Sequence, residues 1–121
     1  MFEIIFYKDV NGNEPIKEYI DTLNASASKN KGARIKLEKI FMYLELLSIN
    51  GIALGGPYIK HIEGEIWELR PLRDRIFFFG FNGDTFVLLH HFVKKTQKTP
   101  KKEIEQAKRN LNDFVERNRL K

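Results

Sequence analysis

At 121 residues, with no cysteine and a formal net charge of +5, the chain suits one domain built on one hydrophobic core. The missing cysteines exclude disulfides, thiolate metal sites and a cysteine nucleophile. No apolar run nears the ~20 residues that cross a bilayer, and no signal-peptide pattern opens the chain, so a cytoplasmic protein with no membrane partner is expected.

The first predicted element is the β-prone run FEIIFY (2–7). DVNGNEP then breaks the chain, with Asn13 placed to cap a helix and Pro15 in its first turn, where a missing N–H costs little. Ile16, Tyr19, Ile20 and Leu23 recur at i, i+3, i+4 and i+7 and give that helix one apolar face. ASASKNKG reads as a linker. A second helix is expected over about 31–49, with Leu37, Ile40, Phe41, Leu44 and Leu47 buried and Gly51 as its stop. NGIALGGP lacks the lysine and hydroxyl residue of a phosphate-binding loop and reads as a connector.

Four strands should follow: PYIKHI, EIWELR (65–70), RIFFFGF (75–81) and TFVLLHHFV (85–93). Asn82-Gly83 signals a tight hairpin between the last two, because this pair accepts the positive φ angles of a type I′ turn. Thr99-Pro100 opens a final helix with Ile104, Ala107, Leu111, Phe114 and Val115 on its apolar face. The order β-α-α-β-β-β-β-α, joined largely by hairpins, predicts the α+β class. Two N-terminal helices would pack on a mostly antiparallel sheet of four to five strands, followed by a C-terminal helix.

A two-residue Asn-Gly loop would set Phe79 opposite Phe86, Phe77 opposite Leu88 and Arg75 opposite His90. A four-residue loop PLRD (71–74) would pair Glu68 with Phe77 and Arg70 with Arg75. One face would then carry Glu68, Arg70, Arg75 and His90, together with Phe77, Phe79, Phe86 and Leu88. Those apolar groups need cover from the last helix or from a partner. The other face would carry Trp67, Leu69, Ile76, Phe78, Val87 and Leu89 and pack on the first two helices. A three-residue turn would instead bring His91 opposite Arg75.

The stretch HHFVKKTQKTPKK (90–102) holds five lysines and two histidines and no acid. Residues 1–50 balance at seven basic and seven acidic groups, whereas 51–121 carry fourteen basic against nine acidic. Such asymmetry points to a polyanionic partner, a nucleic acid or a small acidic protein. Adjacent arginines repel unless an anion lies between them, and their planar forks match phosphate oxygens. Histidine supplies an acid or base near neutrality. RNA can be cut without a metal, because the 2′-hydroxyl can attack its own phosphorus. The protein must take that proton, steady the phosphorane and protonate the leaving 5′-oxygen.

Glu68, Arg70, Arg75, His90, His91, Lys94 and Lys95 are the candidate catalytic residues for this chemistry. Lys60, His61, Arg73, Lys98, Lys101 and Lys102 are candidate RNA contacts. Structural readings compete: Glu68 as a salt-bridge partner of either arginine, the lysine run as a solvated surface, His61 as a surface group. Three histidines without a carboxylate at ligand spacing do not make a zinc site, and no Gly-x-Ser-x-Gly nucleophile is present. Neither a metal nor a cofactor is expected.

The segment IWELRPLRDRIFFFGFNGDTFVLLHHFVKKTQKTPKKEIEQAKR resembles the core of the RelE/ParE superfamily of bacterial toxins, closest to its HigB-like, phage-derived branch. The specific parts are ELR ending one strand, RIFFF opening the next, and LLHxFxKKTQKTP running into EIExAKR. The resemblance implies a toxin of a type II toxin–antitoxin pair that cuts mRNA in the ribosomal A site without metal. By position, Arg70 matches the family's arginine ending the L-R strand, Arg75 its catalytic arginine that contacts the scissile phosphate, and Lys94 and Lys95 its basic pair after the last strand. RelE-type members have lysines where this chain has Ile66 and Glu68, and a tyrosine in the last helix that is missing from 94–121. Proton transfer must therefore fall to His90, His91 or Glu68. The resemblance also implies an antitoxin partner, commonly a small helix-turn-helix protein whose complex binds promoter DNA. A ParE-type inhibitor of DNA gyrase and an inactive or accessory nucleic-acid-binding protein are the rival readings.

Overall fold

In the computed structural model, which describes residues 1–119, the elements run β1 (Glu3–Phe6), α1 (Pro15–Ser26), α2 (Lys31–Asn50), β2 (Ile59–Glu63), β3 (Ile66–Leu69), β4 (Asp74–Phe81), β5 (Thr85–Val93) and α3 (Lys101–Arg119). The strands form one sheet in the order β1-β5-β4-β3-β2, and only the β1–β5 pairing is parallel. The class is α+β, consistent with a RelE-like fold.

The helices start and stop where local chemistry directs. Asn30 caps α2 through its side chain, which accepts the Ala33 N–H at 3.0 Å, so the expected linker is largely a cap. At the other end Gly51 adopts φ +60 beneath the Phe2 ring, where a Cβ would lie 2.8 Å from a ring carbon. Asn13 does not cap α1. Its N–H and side chain both bond the Asp9 carboxylate, and Glu14 precedes the helix instead. Phe41, expected in the core, is 52% exposed on the outer side of α2.

The sheet has two apolar faces. Ile16, Ile20, Leu37, Ile40 and Leu47 of α1 and α2 cover Leu69, Ile76, Phe78, Phe86 and Leu88. Ala107 and Phe114 of α3 cover Phe77, Phe79, Val87 and Leu89. Phe77 and Phe78 are fully buried on opposite sides of β4, and each such ring stabilises the fold by roughly 1.5–3 kcal/mol.

The expected hairpin register is corrected in two steps. Asn82 and Gly83 take the positive φ angles that the pair favours, yet Phe81 pairs with Thr85, so Asp84 joins the loop. That one residue exchanges the two faces of β5. Phe86 and Leu88 lie under α1 and α2, and Val87 and Leu89 under α3, the reverse of expectation. The ladder then slips between Phe78↔Leu88 and Phe77↔His90, leaving Leu89 as the extra residue of a β-bulge. Arg75 consequently stands opposite Phe92, not opposite either histidine. On the β3 side, Glu68 pairs with Phe77 as expected.

Candidate active site

The site forms where β3 turns into β4. Asp74 N–H bonds the Pro71 carbonyl at 3.0 Å to close the turn, and Leu72 takes φ 57 within it. Lys94 N–H bonds the Arg73 carbonyl at 2.8 Å and ties the end of β5 to the same turn. Arg75 is anchored here as well, donating from Nη1 to the carbonyls of Leu72 at 2.7 Å and Asp74 at 3.0 Å. The turn thus gathers Arg70, Arg73, Arg75 and Lys94 at one end of the sheet.

Glu68 is the acid among them. Its side chain is 1% exposed, with Oε1 3.4 Å from Arg70 Nε and 3.8 Å from Arg75 Nε. Lys60 is its cross-strand neighbour on β2. Neither carboxylate oxygen, nor either of the two Nε atoms, has a hydrogen-bond partner among the described residues. Burial pushes the Glu68 carboxyl above its ordinary range, although Arg75, Arg70, Lys94 and Lys60 pull the other way. Burial likewise lowers the Arg75 pKa against the pull of Glu68. Buried polar groups rarely stay unpaired, so this cluster departs from the usual pattern of a packed interior.

The two histidines part company at the bulge. His90 lies with Phe77 and Phe92 on the α3 side, and its Nε2 meets Glu103 Oε1 at 2.8 Å. His91 lies on the α1 side, stacked on Tyr19 with centroids 3.9 Å apart, and donates from Nε2 to Asp74 Oδ1 at 2.8 Å. His90 therefore shares the Glu68 face, and His91 does not.

The remaining basic candidates divide as well. Lys95 and Lys102 line a cleft of about 520 Å³ with Phe92, Val93, Thr96, Pro100 and Glu103. Lys98 and Lys101 are exposed near it in sequence, and Arg73 is exposed on the turn. His61 lies away from the group: it pairs with Trp67, packs edge-on against that ring, and bonds the Gly64 carbonyl at 2.8 Å. An apolar groove of about 350 Å³ along Phe2, Ile52, Trp67 and Phe86 shares no lining residue with the cleft. Among the described residues, no cluster of three or more His, Cys, Asp or Glu is placed to hold a metal ion. No described helix is long and apolar enough to cross a membrane.

Residues 18–112 match the family described as Phage derived protein Gp49-like (DUF891). The chain belongs to this family. Gp49-like proteins form part of the RelE/ParE-like toxin superfamily, so the chain is consistent with a toxin of a toxin–antitoxin pair. The span matched in this Gp49-like chain includes every candidate residue from Lys60 to Glu103. No curated protein matches the chain.

Sequence reasoning missed Glu103 and Asp74. Glu103 could have been found as the first acid after the lysine run, in the opening turn of α3. Asp74 carried no local signal, because its partners Tyr19 and Lys36 come from distant helices.

Proposed function

We propose that this Gp49-like chain is the toxin of a type II toxin–antitoxin pair and a metal-independent endoribonuclease of the HigB-like branch. It would cut mRNA in the ribosomal A site and so arrest translation in the cytoplasm. The observation that carries this reading is the Glu68 carboxylate enclosed between the Nε atoms of Arg70 and Arg75, at 3.4 and 3.8 Å, without a hydrogen bond to either. Such an ion cluster supports a fold poorly, but it suits a phosphate and the hydroxyl beside it.

In this reading the 2′-oxygen forms a bond to phosphorus and the bond from phosphorus to the 5′-oxygen breaks. The products are a 2′,3′-cyclic phosphate and a free 5′-hydroxyl. Glu68 receives the 2′-hydroxyl proton, a task favoured by the burial that raises its affinity for protons. His90, steadied by Glu103, gives a proton to the leaving oxygen. Arg70 and Arg75 spread the charge of the phosphorane, and Lys94 adds to it from the end of β5. Lys60, Arg73, Lys95, Lys98, Lys101 and Lys102 hold flanking phosphates of mRNA and ribosomal RNA. His91 takes no part in proton transfer. The partner is a small helix-turn-helix antitoxin, and promoter DNA is reached only through that complex.

Mapping RNA 5′ ends after brief induction tests the reading. In-frame cuts within translated messages are expected, and Arg75→Ala should remove both the cuts and the growth arrest. Intact messages with broken DNA would make the protein a ParE-type gyrase inhibitor. Unimpaired growth would mark an inactive or accessory nucleic-acid-binding protein.

A further inference from the structure

Behind the arginine turn lies a second buried carboxylate that the chemistry above leaves without a task. Asp74 is fully buried, and its Oδ1 alone gathers three groups from three elements. Tyr19 of α1 donates to it at 2.7 Å, His91 of β5 at 2.8 Å, and the Lys36 ammonium of α2 lies 3.6 Å away. Lys36 also sits over the Tyr19 ring, 5.5 Å from its centroid. Oδ2 is buried without a hydrogen-bond partner among the described residues. A charge buried with one oxygen unsatisfied is a costly way to join helices to a sheet, since apolar side chains of similar volume commonly do so at least as well.

Its place in the chain supplies a reason. Asp74 is the last residue of the turn, between Arg73 and Arg75, and its own carbonyl receives the Arg75 guanidinium at 3.0 Å. The backbone that aims Arg75 is therefore fastened, through one side chain, to both N-terminal helices and to β5. We propose that Asp74, held by Tyr19, Lys36 and His91, is the positioning residue that fixes the guanidinium of Arg75 for the RNA phosphate. This role rests on the ribonuclease reading, and it assigns to His91 the part of a donor to Asp74.

The test measures binding of a 2′-O-methylated, uncleavable oligoribonucleotide to the full chain and to Asp74→Asn, Arg75→Ala and the double variant. Melting temperatures are recorded in parallel. If Asp74 acts through Arg75, Asp74→Asn weakens binding roughly tenfold, about the loss of one charge-assisted hydrogen bond to the phosphate. The same change made on Arg75→Ala weakens it no further. Tyr19→Phe, which removes only a hydroxyl, should show the same non-additive pattern should Asp74→Asn fail to fold. His91→Gln, which keeps an N–H for the carboxylate, should bind better than His91→Ala. Additive losses, or equal binding by the His91 variants, would overturn the positioning role while leaving Arg75 on the phosphate. Equal binding by Arg75→Ala and the unmodified chain would instead overturn the ribonuclease site itself, and the positioning role with it.

Discussion

His90 of β5 and Glu103 of α3 are joined at 2.8 Å, so an imidazole at the bulge is steadied by the first turn of the last helix. Each side chain is 20% exposed, open enough to exchange protons with a ligand. His90→Ala should lower single-turnover cleavage by about 100-fold or more, the usual range for a general acid. Glu103→Gln should lower it less, because the imidazole remains and only its alignment is lost. Rates of mRNA cleavage on programmed ribosomes check both, and equal rates for all three proteins would remove His90 from the mechanism.

Glu68 should trade stability against activity. Its folded pKa is raised by burial, so its contribution to stability is present in full below the ordinary glutamate range. That contribution is lost as pH rises through the raised value. Lowering the pH from 7 toward the ordinary glutamate range should therefore raise the melting temperature of the unmodified chain relative to that of Glu68→Gln, which has no such proton to gain. Cleavage by the variant should drop by about 100-fold or more, as expected for a missing base. Thermal melts across pH, paired with cleavage assays, check both, and a melting difference that does not move with pH would contradict the raised value.

The lysines after β5 should act by charge alone. For single-stranded RNA the slope of log affinity against log salt is about −0.7 per phosphate neutralised. Lys95→Ala and Lys102→Ala should each flatten that slope by about 0.7, with little change in melting temperature, since both side chains are exposed. Titrations of an oligoribonucleotide at several salt concentrations measure it, and an unchanged slope would take these two residues off the RNA path.

Tyr7 offers an alkaline marker for the docking of α3. Burial, aided by the hydrogen bond from its hydroxyl to Asp113 at 2.5 Å, pushes its pKa up to about 12. Because the folded value is raised, this group stabilises the fold below its ordinary pKa and ceases to do so as pH rises through about 12. Ultraviolet titration should show tyrosine ionisation still incomplete at pH 11 in the unmodified chain, with part of the remaining signal missing from Tyr7→Phe. Asp113→Asn should bring that ionisation to lower pH, and an unmoved titration would deny the link between Tyr7, just after β1, and α3.

Much of the fold could be read from the residues, because apolar periodicity and Asn-Gly turn chemistry are local signals. The pairing of Glu68 with Phe77 followed from the length of the PLRD turn. The division of the histidines did not. In FVLLHHFV every residue from Phe86 to Leu89 is apolar, so neither the third loop residue nor the bulge at Leu89 leaves a mark in the hydrophobic pattern. The loop residue alone put Phe86 and Leu88 on the wrong side, and loop and bulge together put Arg75 opposite the wrong partner. Asp74 was hidden for another reason, as was the partner of Glu103: both depend on how helices dock, which short-range spacing does not encode.

Ile4 of β1 pairs in parallel with Phe86 of β5, so a strand made early is held by one made much later. Contacts this far apart along the chain form late and slow folding. During synthesis β1 must wait, unpaired, until β5 has left the exit tunnel. For that interval the nascent chain presents a bare strand edge, and whatever meets it then encounters a molecule that has yet to close its sheet.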